Sequence, residues 1–417
     1  MDKLLITGPT ELRGEVFVSR AKNAYLPILA AVLLSDKPIR LKNLPELKDI
    51  QTMMKLLQNL GVTIEKQGEW TLFNAQDLKS HEATYDLVKT MRASIFVLGP
   101  LLARLKKAKV SLPGGCAIGT RPIDIHLKNL EKLGAVIQLE AGYVDASVEE
   151  FKATRIALSF PSVGATENLM MASVFTKGET VIDNVALEPE IDDLAHFLNK
   201  MGAKVTGIGS STLTITGVES LNEVEYEAIG DRIEAATFLT AALMTDSPIT
   251  IRGFNPIHIQ FVLDKICEMG ASYEKLPDGV KVIPGTHLKA VEIDTAPYPG
   301  FPTDVQAQML ALMTQAEGTS VITENIFENR FMHVPELRRL GANIKLKGKI
   351  AIIEGKSPLS AAPIMCTDLR ASAALVLAAL VSKGETEVQR VYHLDRGYEA
   401  LEKKLAALGA NIQRVKG

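Results

Sequence analysis

One short phrase recurs along this chain of 417 residues and limits what it can fold into. Leucine or methionine followed by glycine, usually with alanine next, returns at a period of roughly 70 residues. The copies are Leu60-Gly61, Leu133 to Ala135, Met201 to Ala203, Met269 to Ala271, Leu340 to Ala342 and Leu408 to Ala410. Apolar residues at helical spacing precede the phrase, as in 50–60 and 394–408, and a short β-patterned run follows it. We therefore predict that each glycine ends a helix and leads into a strand.

A second helix is predicted in the first half of each repeat. It should be buried, because Ala, Leu and Met dominate its sequence. These helices are predicted over 23–34, 92–105, 165–176, 232–245, 304–315 and 370–382. With the short strands around them, the helices give each repeat a β-α-β-α-β-β pattern, which predicts an α/β fold.

The six repeats divide naturally into two domains of three, since a chain of this length is too long for one ordinary core. One predicted domain spans 21–229. The other joins 1–20 to 230–417, so that the opening strand of the chain completes the last repeat. The active site is expected in the cleft between the two domains.

Composition and charge exclude several classes of protein. The net charge is −3 and acidic and basic residues nearly balance, which does not favour a nucleic-acid or anionic-membrane partner. No apolar run has the length or flanks of a signal peptide or membrane span, so a cytoplasmic protein is expected. The three cysteines are far apart and lack metal-ligand spacing, so neither a disulfide framework nor a zinc site is predicted.

Charged residues mark the starts of the predicted buried helices. Lys22, Arg92, Arg232 and Arg370 occupy equivalent positions in their repeats. A cation opposes the dipole at a helix N-terminus, but together with the free backbone N–H groups it makes an anion site. We therefore favour a polyanionic ligand. The alternatives are ordinary surface charges and a stacked scaffold without catalysis.

The segment Leu112 to His126 carries a further feature. Its glycines at 114, 115 and 119 surround Cys116, where an inert core thiol would be out of place. Arg121-Pro122 then opens a helix. Cys267 and Cys366 lie in apolar helix and strand patterns, and we interpret both as core residues.

At these residues the chain resembles the UDP-N-acetylglucosamine 1-carboxyvinyltransferase family, the enolpyruvyl transferases of the murein pathway, along essentially its whole length. The matching stretches are Ser19 to Asn23, Pro113 to His126, Phe160 to Thr166, Tyr298 to Asp304, Phe327 to Met332, Asp368 to Arg370 and Asp395 to Tyr398. The resemblance implies an inside-out α/β barrel pair, which agrees with the repeats.

The resemblance also implies roles for individual residues. Lys22, Arg121 and Arg396 resemble the contacts to the phosphate and carboxylate of phosphoenolpyruvate, and Asn23 resembles a contact to the reaction intermediate. The residues that resemble the nucleotide-sugar site are Arg92, Arg121, Pro122, Ile123, Asp124, Ile125, Ser162, Val163, Gly164, Asp304 and Ile326, and Arg370 joins the predicted substrate-binding set. Phe160-Pro161 stands where other members carry Lys-Val, so the uridine end is expected to be held differently.

The implied reaction is an addition followed by an elimination. C3 of phosphoenolpyruvate is protonated, the sugar 3-hydroxyl attacks C2, and the tetrahedral ketal then loses phosphate. Cys116 is the candidate acid and Asp304 the candidate base, although Asp304 could instead be an ordinary helix N-cap. The resemblance implies alkylation of Cys116 by fosfomycin and no metal, cofactor or obligate protein partner.

Two rival functions remain at this point. A 5-enolpyruvylshikimate-3-phosphate synthase would share the fold and the donor, but it lacks the Pro-Gly-Gly-Cys loop present at 113–116. A scaffold without catalysis would be expected to lose several of the candidate catalytic residues together. Lys22, Cys116, Asp304 and Arg396 are all present.

Overall fold

The computed structural model describes residues 2–88, 91–112 and 123–416, which form two compact units. Unit 1 comprises residues 2–19 and 230–416, and unit 2 comprises residues 20–88, 91–112 and 123–229. Each unit buries its own continuous apolar core. Cys116, Arg121 and Pro122 lie outside the described residues.

The α-helices alternate with strands throughout both units. In chain order they are α1 (Lys22–Ala31), α2 (Lys48–Leu60), α3 (Tyr85–Val88), α4 (Leu98–Leu105), α5 (Asp124–Lys132), α6 (Val163–Ser173), α7 (Pro189–Lys200), α8 (Arg232–Met244), α9 (Gln260–Glu268), α10 (Gln306–Met313), α11 (Val334–Arg339), α12 (Leu369–Val381) and α13 (Leu401–Ala407). Short 3-10 turns cover Val32–Leu34, Arg92–Val97, Pro256–Ile259, Thr303–Val305 and Val391–Arg396.

The strands are short and evenly distributed. They are β1 (Lys3–Gly8), β2 (Gly14–Phe17), β3 (Ile39–Lys42), β4 (Thr63–Gln67), β5 (Trp70–Asn74), β6 (Glu82–Ala83), β7 (Lys107–Ser111), β8 (Val136–Glu140), β9 (Tyr143–Ser147), β10 (Arg155–Ala157), β11 (Glu179–Asp183), β12 (Lys204–Thr206), β13 (Thr212–Thr216), β14 (Val224–Tyr226), β15 (Ile249–Arg252), β16 (Ser272–Leu276), β17 (Gly279–Ile283), β18 (Glu292–Asp294), β19 (Thr319–Thr323), β20 (Asn343–Lys347), β21 (Ile350–Glu354), β22 (Ile364–Met365), β23 (Gly384–Gln389) and β24 (Asn411–Val415).

The strands form six four-stranded sheets, as many as there are repeats. The strand orders are β14-β3-β5-β4, β6-β7-β9-β8 and β10-β11-β13-β12 in unit 2, and β16-β17-β15-β2, β18-β19-β21-β20 and β22-β23-β1-β24 in unit 1. In every sheet one neighbouring pair is parallel and the other pairs are antiparallel. The predicted α/β fold of repeated β-α-β-α-β-β units is confirmed.

The helices predicted to be buried form the interior of each unit. Every residue of α8 and of α10 is buried, as are residues 370–380 of α12, and these three helices pack on one another in unit 1. A helix that is apolar on all sides has no face to offer to water, so the sheets and amphipathic helices must cover it completely. The described residues contain no helix with the length and apolarity that a bilayer crossing requires.

The glycines of the recurring phrase end their helices as predicted. Gly61, Gly134, Gly202, Gly270, Gly341 and Gly409 all adopt positive φ, between 96° and 108°. Only a residue without a Cβ adopts this conformation without strain, which explains why glycine occupies the same position in each repeat.

The pairing of two strands differs from the simple repeat pattern. Strand β2 precedes α1 in the chain, but it pairs in parallel with β15 of unit 1. Strand β14 precedes α8, but it pairs in parallel with β3 of unit 2. The first strands of the first and fourth repeats are therefore exchanged between sheets, and the opening strand β1 lies between β23 and β24.

Two local predictions were wrong. The continuous helix expected over 394–408 is interrupted, because the 3-10 turn ends at Arg396 and α13 begins only at Leu401, after Ala400 with φ of 47°. Cys366 is buried as expected, but Cys267 lies on the exposed side of α9.

Candidate active site

The predicted charged residues begin the buried helices or the 3-10 turns that lead into them. Lys22 is the first residue of α1, Arg232 the first of α8 and Arg370 the second of α12. Arg92 opens the 3-10 turn that runs into α4, and Asp304 is the second residue of the turn before α10. The structure thus places these side chains at equivalent ends of equivalent elements, where free backbone N–H groups favour an anion.

In unit 1 the Asp304 carboxylate lies between two buried arginines. Its Oδ1 accepts from Arg330 Nη2 at 2.9 Å, and its Oδ2 accepts from Arg370 Nε at 3.2 Å and Nη2 at 3.0 Å. The side chains of Arg330 and Arg370 are only 4% and 3% exposed. Burial lowers the pKa of the Arg370 guanidinium, but the Asp304 charge together with Tyr398 and Asp231 more than offsets burial and raises that pKa above its ordinary value. The three side chains therefore form a tight charged cluster in which both arginines are buried.

One nitrogen of the Arg370 guanidinium does not donate to Asp304. Its Nη1 atom is buried and has no hydrogen-bond acceptor among the described residues. A buried donor without an acceptor is costly, so this atom is suited to an oxygen supplied by a ligand.

The capping interpretation of Asp304 does not agree with these contacts. The residue before the 3-10 turn is Pro302, the residue before α10 is Val305, and neither makes a side-chain capping bond. The Asp304 carboxylate is directed at arginines rather than at the amides of its own helix.

A second buried carboxylate connects the Asp304 turn to the loop that carries Ile326. Glu324 is 2% exposed, and its Oε2 accepts from the Thr303 hydroxyl at 2.9 Å. Its Oε1 accepts from the backbone N–H groups of Ile326 at 2.9 Å and Phe327 at 3.1 Å. Glu324 therefore brings together Asp304 and Ile326, two of the predicted nucleotide-sugar residues.

Arg396 lies at the end of the 3-10 turn Val391–Arg396 and is partly buried. Burial first, and the Arg396 charge second, lower the pKa of His393 in the same turn. Gly397 and the buried Tyr398 follow directly.

In unit 2 the Lys22 ammonium approaches a buried carboxylate. Lys22 Nζ lies 3.4 Å from Asp49 Oδ2, and the two side chains are 10% and 6% exposed. Asn23 follows in the first turn of α1. A compact ammonium held inside the protein in this way is a strong point charge for an anionic group.

Another part of unit 2 assembles around His126 on α5. Asn168 Nδ2 lies 3.0 Å from His126 Nδ1 and also donates to the Ile95 carbonyl at 3.0 Å, while the Asn168 Oδ1 accepts from Gly99 N–H. These partners fix the amide as a donor toward the ring. His126 Nδ1 therefore accepts, which leaves the proton of the neutral ring on Nε2.

His126 also connects three of the predicted substrate-binding stretches. Burial, followed by the Arg92 charge, lowers the pKa of His126 to about 4, whereas Asp124 at the start of α5 raises it. A Cβ on Gly164 would come within 3.1 Å of His126 Cε1. Ser162 caps α6 by accepting from Ala165 N–H at 3.4 Å. Arg92, the stretch 123–125 and the stretch 162–164 are therefore neighbours around one imidazole.

The structure adds residues that the sequence did not single out. Arg330 lies within a quoted motif but was not assigned a role, and its pairing with Asp304 joins residues that are 26 apart in the chain. Glu324, His126, Asn168 and Tyr398 likewise support predicted residues. One indication was available in the sequence, because Asn168 and Gln308 are amides inside helices that are mainly apolar.

We predict that His126 makes the stability of unit 2 depend on pH. Its pKa of about 4 in the folded chain lies below the unfolded value of about 6.5. Between these values the unfolded chain binds the proton and the folded chain does not. The free energy of unfolding should therefore fall as the pH is lowered from 6.5 to 4, by up to roughly 3 kcal/mol from this group.

Trp70 is the single tryptophan and lies in β5 of unit 2, so its fluorescence in urea titrations reports on that unit. His126→Gln should flatten the pH dependence, whereas the exposed control His287→Gln should not. An unchanged pH dependence in His126→Gln would contradict the assignment.

Comparisons with known proteins identify the family. Residues 6–405 match the model of EPSP synthase (3-phosphoshikimate 1-carboxyvinyltransferase). A relative from Desulfatibacillum aliphaticivorans named UDP-N-acetylglucosamine 1-carboxyvinyltransferase is 54% identical over 416 residues, covering 100% of both chains. A relative of the same name from Acinetobacter guillouiae is 53% identical over 417 residues, with the same coverage.

Solved structures agree with this assignment. The enolpyruvyl transferase NikO from Streptomyces tendae has a TM-score of 0.90 at 27% identity and covers 100% of this chain and 99% of its own. EPSP synthase from Acinetobacter baumannii has a TM-score of 0.76 at 18% identity with both chains fully covered, which supports the fold. The chain therefore belongs to the EPSP synthase family of carboxyvinyltransferases, in the group of relatives named UDP-N-acetylglucosamine 1-carboxyvinyltransferase.

Proposed function

We propose that the chain transfers the enolpyruvyl group of phosphoenolpyruvate to the 3-hydroxyl of UDP-N-acetylglucosamine and releases phosphate. The observation that carries the proposal is the Asp304 carboxylate, which precedes the buried helix α10 and is held between Arg330 and Arg370. The names of full-length relatives at more than half identity support the choice of acceptor. In the cell this reaction is the first committed step of peptidoglycan synthesis, which we place in the cytoplasm.

The charges suit the donor substrate. Phosphoenolpyruvate carries a phosphate and a carboxylate on a three-carbon frame, so it needs several cations with directed donors. We assign this role to Lys22, Arg121 and Arg396. Arg370 offers its remaining donor, Nη1, to an oxygen of the substrates or of the tetrahedral intermediate.

The proposed chemistry needs one acid and one base. Cys116 gives a proton to C3 of phosphoenolpyruvate while the sugar 3-oxygen forms a bond to C2, and Asp304 accepts the proton that this hydroxyl loses. The bond between C2 and the phosphate oxygen then breaks and phosphate leaves, while the Cys116 thiolate takes one proton back from C3, which restores the acid. The two arginines on Asp304 hold the carboxylate in a fixed orientation, which is the requirement for a base that must meet one particular hydroxyl.

The acceptor decides between this function and its nearest rival. We expect phosphate release from phosphoenolpyruvate when UDP-N-acetylglucosamine is offered, and none when shikimate-3-phosphate is offered. A colorimetric phosphate assay with each acceptor separately, and a control without acceptor, measures both. Release with shikimate-3-phosphate alone would assign the chain to the rival reaction, and release with neither would return it to a non-catalytic role.

Asp304→Asn should lower turnover by roughly a hundredfold or more, because an amide cannot accept the hydroxyl proton. It should also lower the thermal midpoint, since two buried guanidinium groups lose their counter-charge. Asp183→Asn is the matched control, because Asp183 pairs with Arg155 on the surface at 2.6 Å and should cost little in either measurement. Near-native turnover of a folded Asp304→Asn enzyme would leave the base unassigned.

Cys116 should be the thiol that fosfomycin alkylates. Burial raises the pKa of the Cys366 thiol to about 11, and the same effect raises the pKa of Cys267, so neither is a ready nucleophile. Cys116→Asp should stay active and escape the drug, whereas Cys116→Ser should lose turnover because a hydroxyl is too weak an acid. Peptide mass spectrometry locates the adduct. Cys267→Ser and Cys366→Ser are the controls, and an adduct on either of these residues would overturn the assignment.

A further inference from the structure

Tyr398 lies where the three buried helices of unit 1 meet the turn that carries Arg396. Its side chain is 2% exposed. Its hydroxyl is 2.9 Å from Thr237 Oγ1 on α8 and 3.1 Å from Gln308 Nε2 on α10. The guanidinium carbon of Arg370 on α12 lies 5.5 Å from the centre of its ring. One side chain therefore contacts all three helices.

The directions of these hydrogen bonds follow from the neighbouring groups. The Thr237 hydroxyl donates to the Ile233 carbonyl at 2.8 Å, so its oxygen must accept from Tyr398. The Gln308 Nε2 also approaches the main-chain carbonyl of Asp304 at 3.1 Å, which fixes this end of the amide as the donor. Gln308 Nε2 also lies 3.1 Å from Thr237 Oγ1, so its two hydrogens serve three acceptors, and the Tyr398 hydroxyl is one of them. Only a side chain that both donates and accepts can occupy this position with both bonds made.

Tyr398 reaches Asp304 by two routes. The first runs from its hydroxyl through the Gln308 amide to the backbone of Asp304. The second runs from its ring face through the Arg370 guanidinium to the Asp304 carboxylate. Arg330 also holds the carboxylate, through a hydrogen bond that does not involve Tyr398. The tyrosine thus holds both the main chain and the side chain of the proposed base.

Tyr398 itself is not placed to exchange a proton with substrate. Tyr398 is enclosed in the core. Burial is the largest influence on the pKa of its phenol and raises that pKa, although the nearby Arg370 charge acts to lower it. The hydroxyl remains protonated, which is the state that the bond to Thr237 requires. Its contribution must therefore pass through other residues.

We propose that Tyr398 is a positioning residue that fixes Asp304 and Arg370 relative to Arg396, two residues before it in the chain. This inference rests on the function proposed above, because it concerns the orientation of the base in that reaction. A small displacement of a reacting group lowers the reaction rate strongly, so a hydroxyl distant from the substrate can affect turnover.

The test uses the full chain with phosphoenolpyruvate and UDP-N-acetylglucosamine, and it measures kcat, both KM values and the thermal midpoint. Tyr398→Phe keeps the ring beneath Arg370 and removes the hydroxyl. We expect kcat to fall by about tenfold to a hundredfold while both KM values stay within about twofold, because orientation of the base matters only in the transition state.

The decisive comparison places Tyr398→Phe in an Asp304→Asn background. If Tyr398 acts through Asp304, the residual turnover of Asp304→Asn should fall no further than about twofold when the hydroxyl is also removed. A purely structural role would lower kcat by the same factor in both backgrounds, and that result would overturn the inference.

Two further variants keep the test conclusive. Tyr392→Phe is the matched control, since Tyr392 lies on the same turn, is 44% exposed and should retain turnover within about twofold of the parent enzyme. Thr237→Val removes the acceptor of the Tyr398 bond and should lower kcat in the same direction, so it replaces Tyr398→Phe if that variant does not fold. If the unsubstituted chain is active and Tyr398→Phe has the same kcat, only this inference is contradicted. If the unsubstituted chain is inactive with both substrates, the proposed function is contradicted as well.

Discussion

Complete burial of helices that have no polar face is the constraint from which the rest of this structure follows. Helices α8 and α10 bury every residue, so unit 1 must surround them with sheets and amphipathic helices. The charges near the starts of α8 and α12, Arg232 and Arg370, are buried as well. A charge in such a place needs a partner, and Asp304 meets this need for Arg330 and Arg370. The candidate active site is in this sense a consequence of how the core is closed.

Polar groups inside the buried helices carry the support of the site. Asn168 interrupts the apolar sequence of α6 and orients the His126 ring, while Thr237 and Gln308 interrupt α8 and α10 and engage Tyr398. Each of these residues interrupts the apolar pattern of its helix. Each also forms hydrogen bonds with residues of its own unit. Such departures from an otherwise consistent pattern are expected where a protein places its functional groups.

The sequence predicted the parts of the structure that depend on local pattern. The repeated glycines, the buried helices and the charged helix starts each depend on a few consecutive residues, and all were found where expected. The exchange of β2 and β14 was not predictable, because an alternating strand looks the same whichever sheet accepts it. Arg330 was missed as the partner of Asp304 because loops bring the two together. The break before α13 was missed because apolar spacing continued through it.

The pairing of β1 has a consequence for synthesis on the ribosome. Strand β1 is made long before its neighbours β23 and β24, which end at residues 389 and 415. Residues 20–229 contain every strand of the three sheets of unit 2, so that unit can fold while the nascent chain is still growing. Strand β2 can pair with β15 once residue 252 has been made, but β1 must remain without its final partners until β23 and β24 have been made. Leu4 and Ile6, which the finished protein buries completely, are then exposed to any chaperone near the exit tunnel, and unit 1 can close only after β23 and β24 have been made.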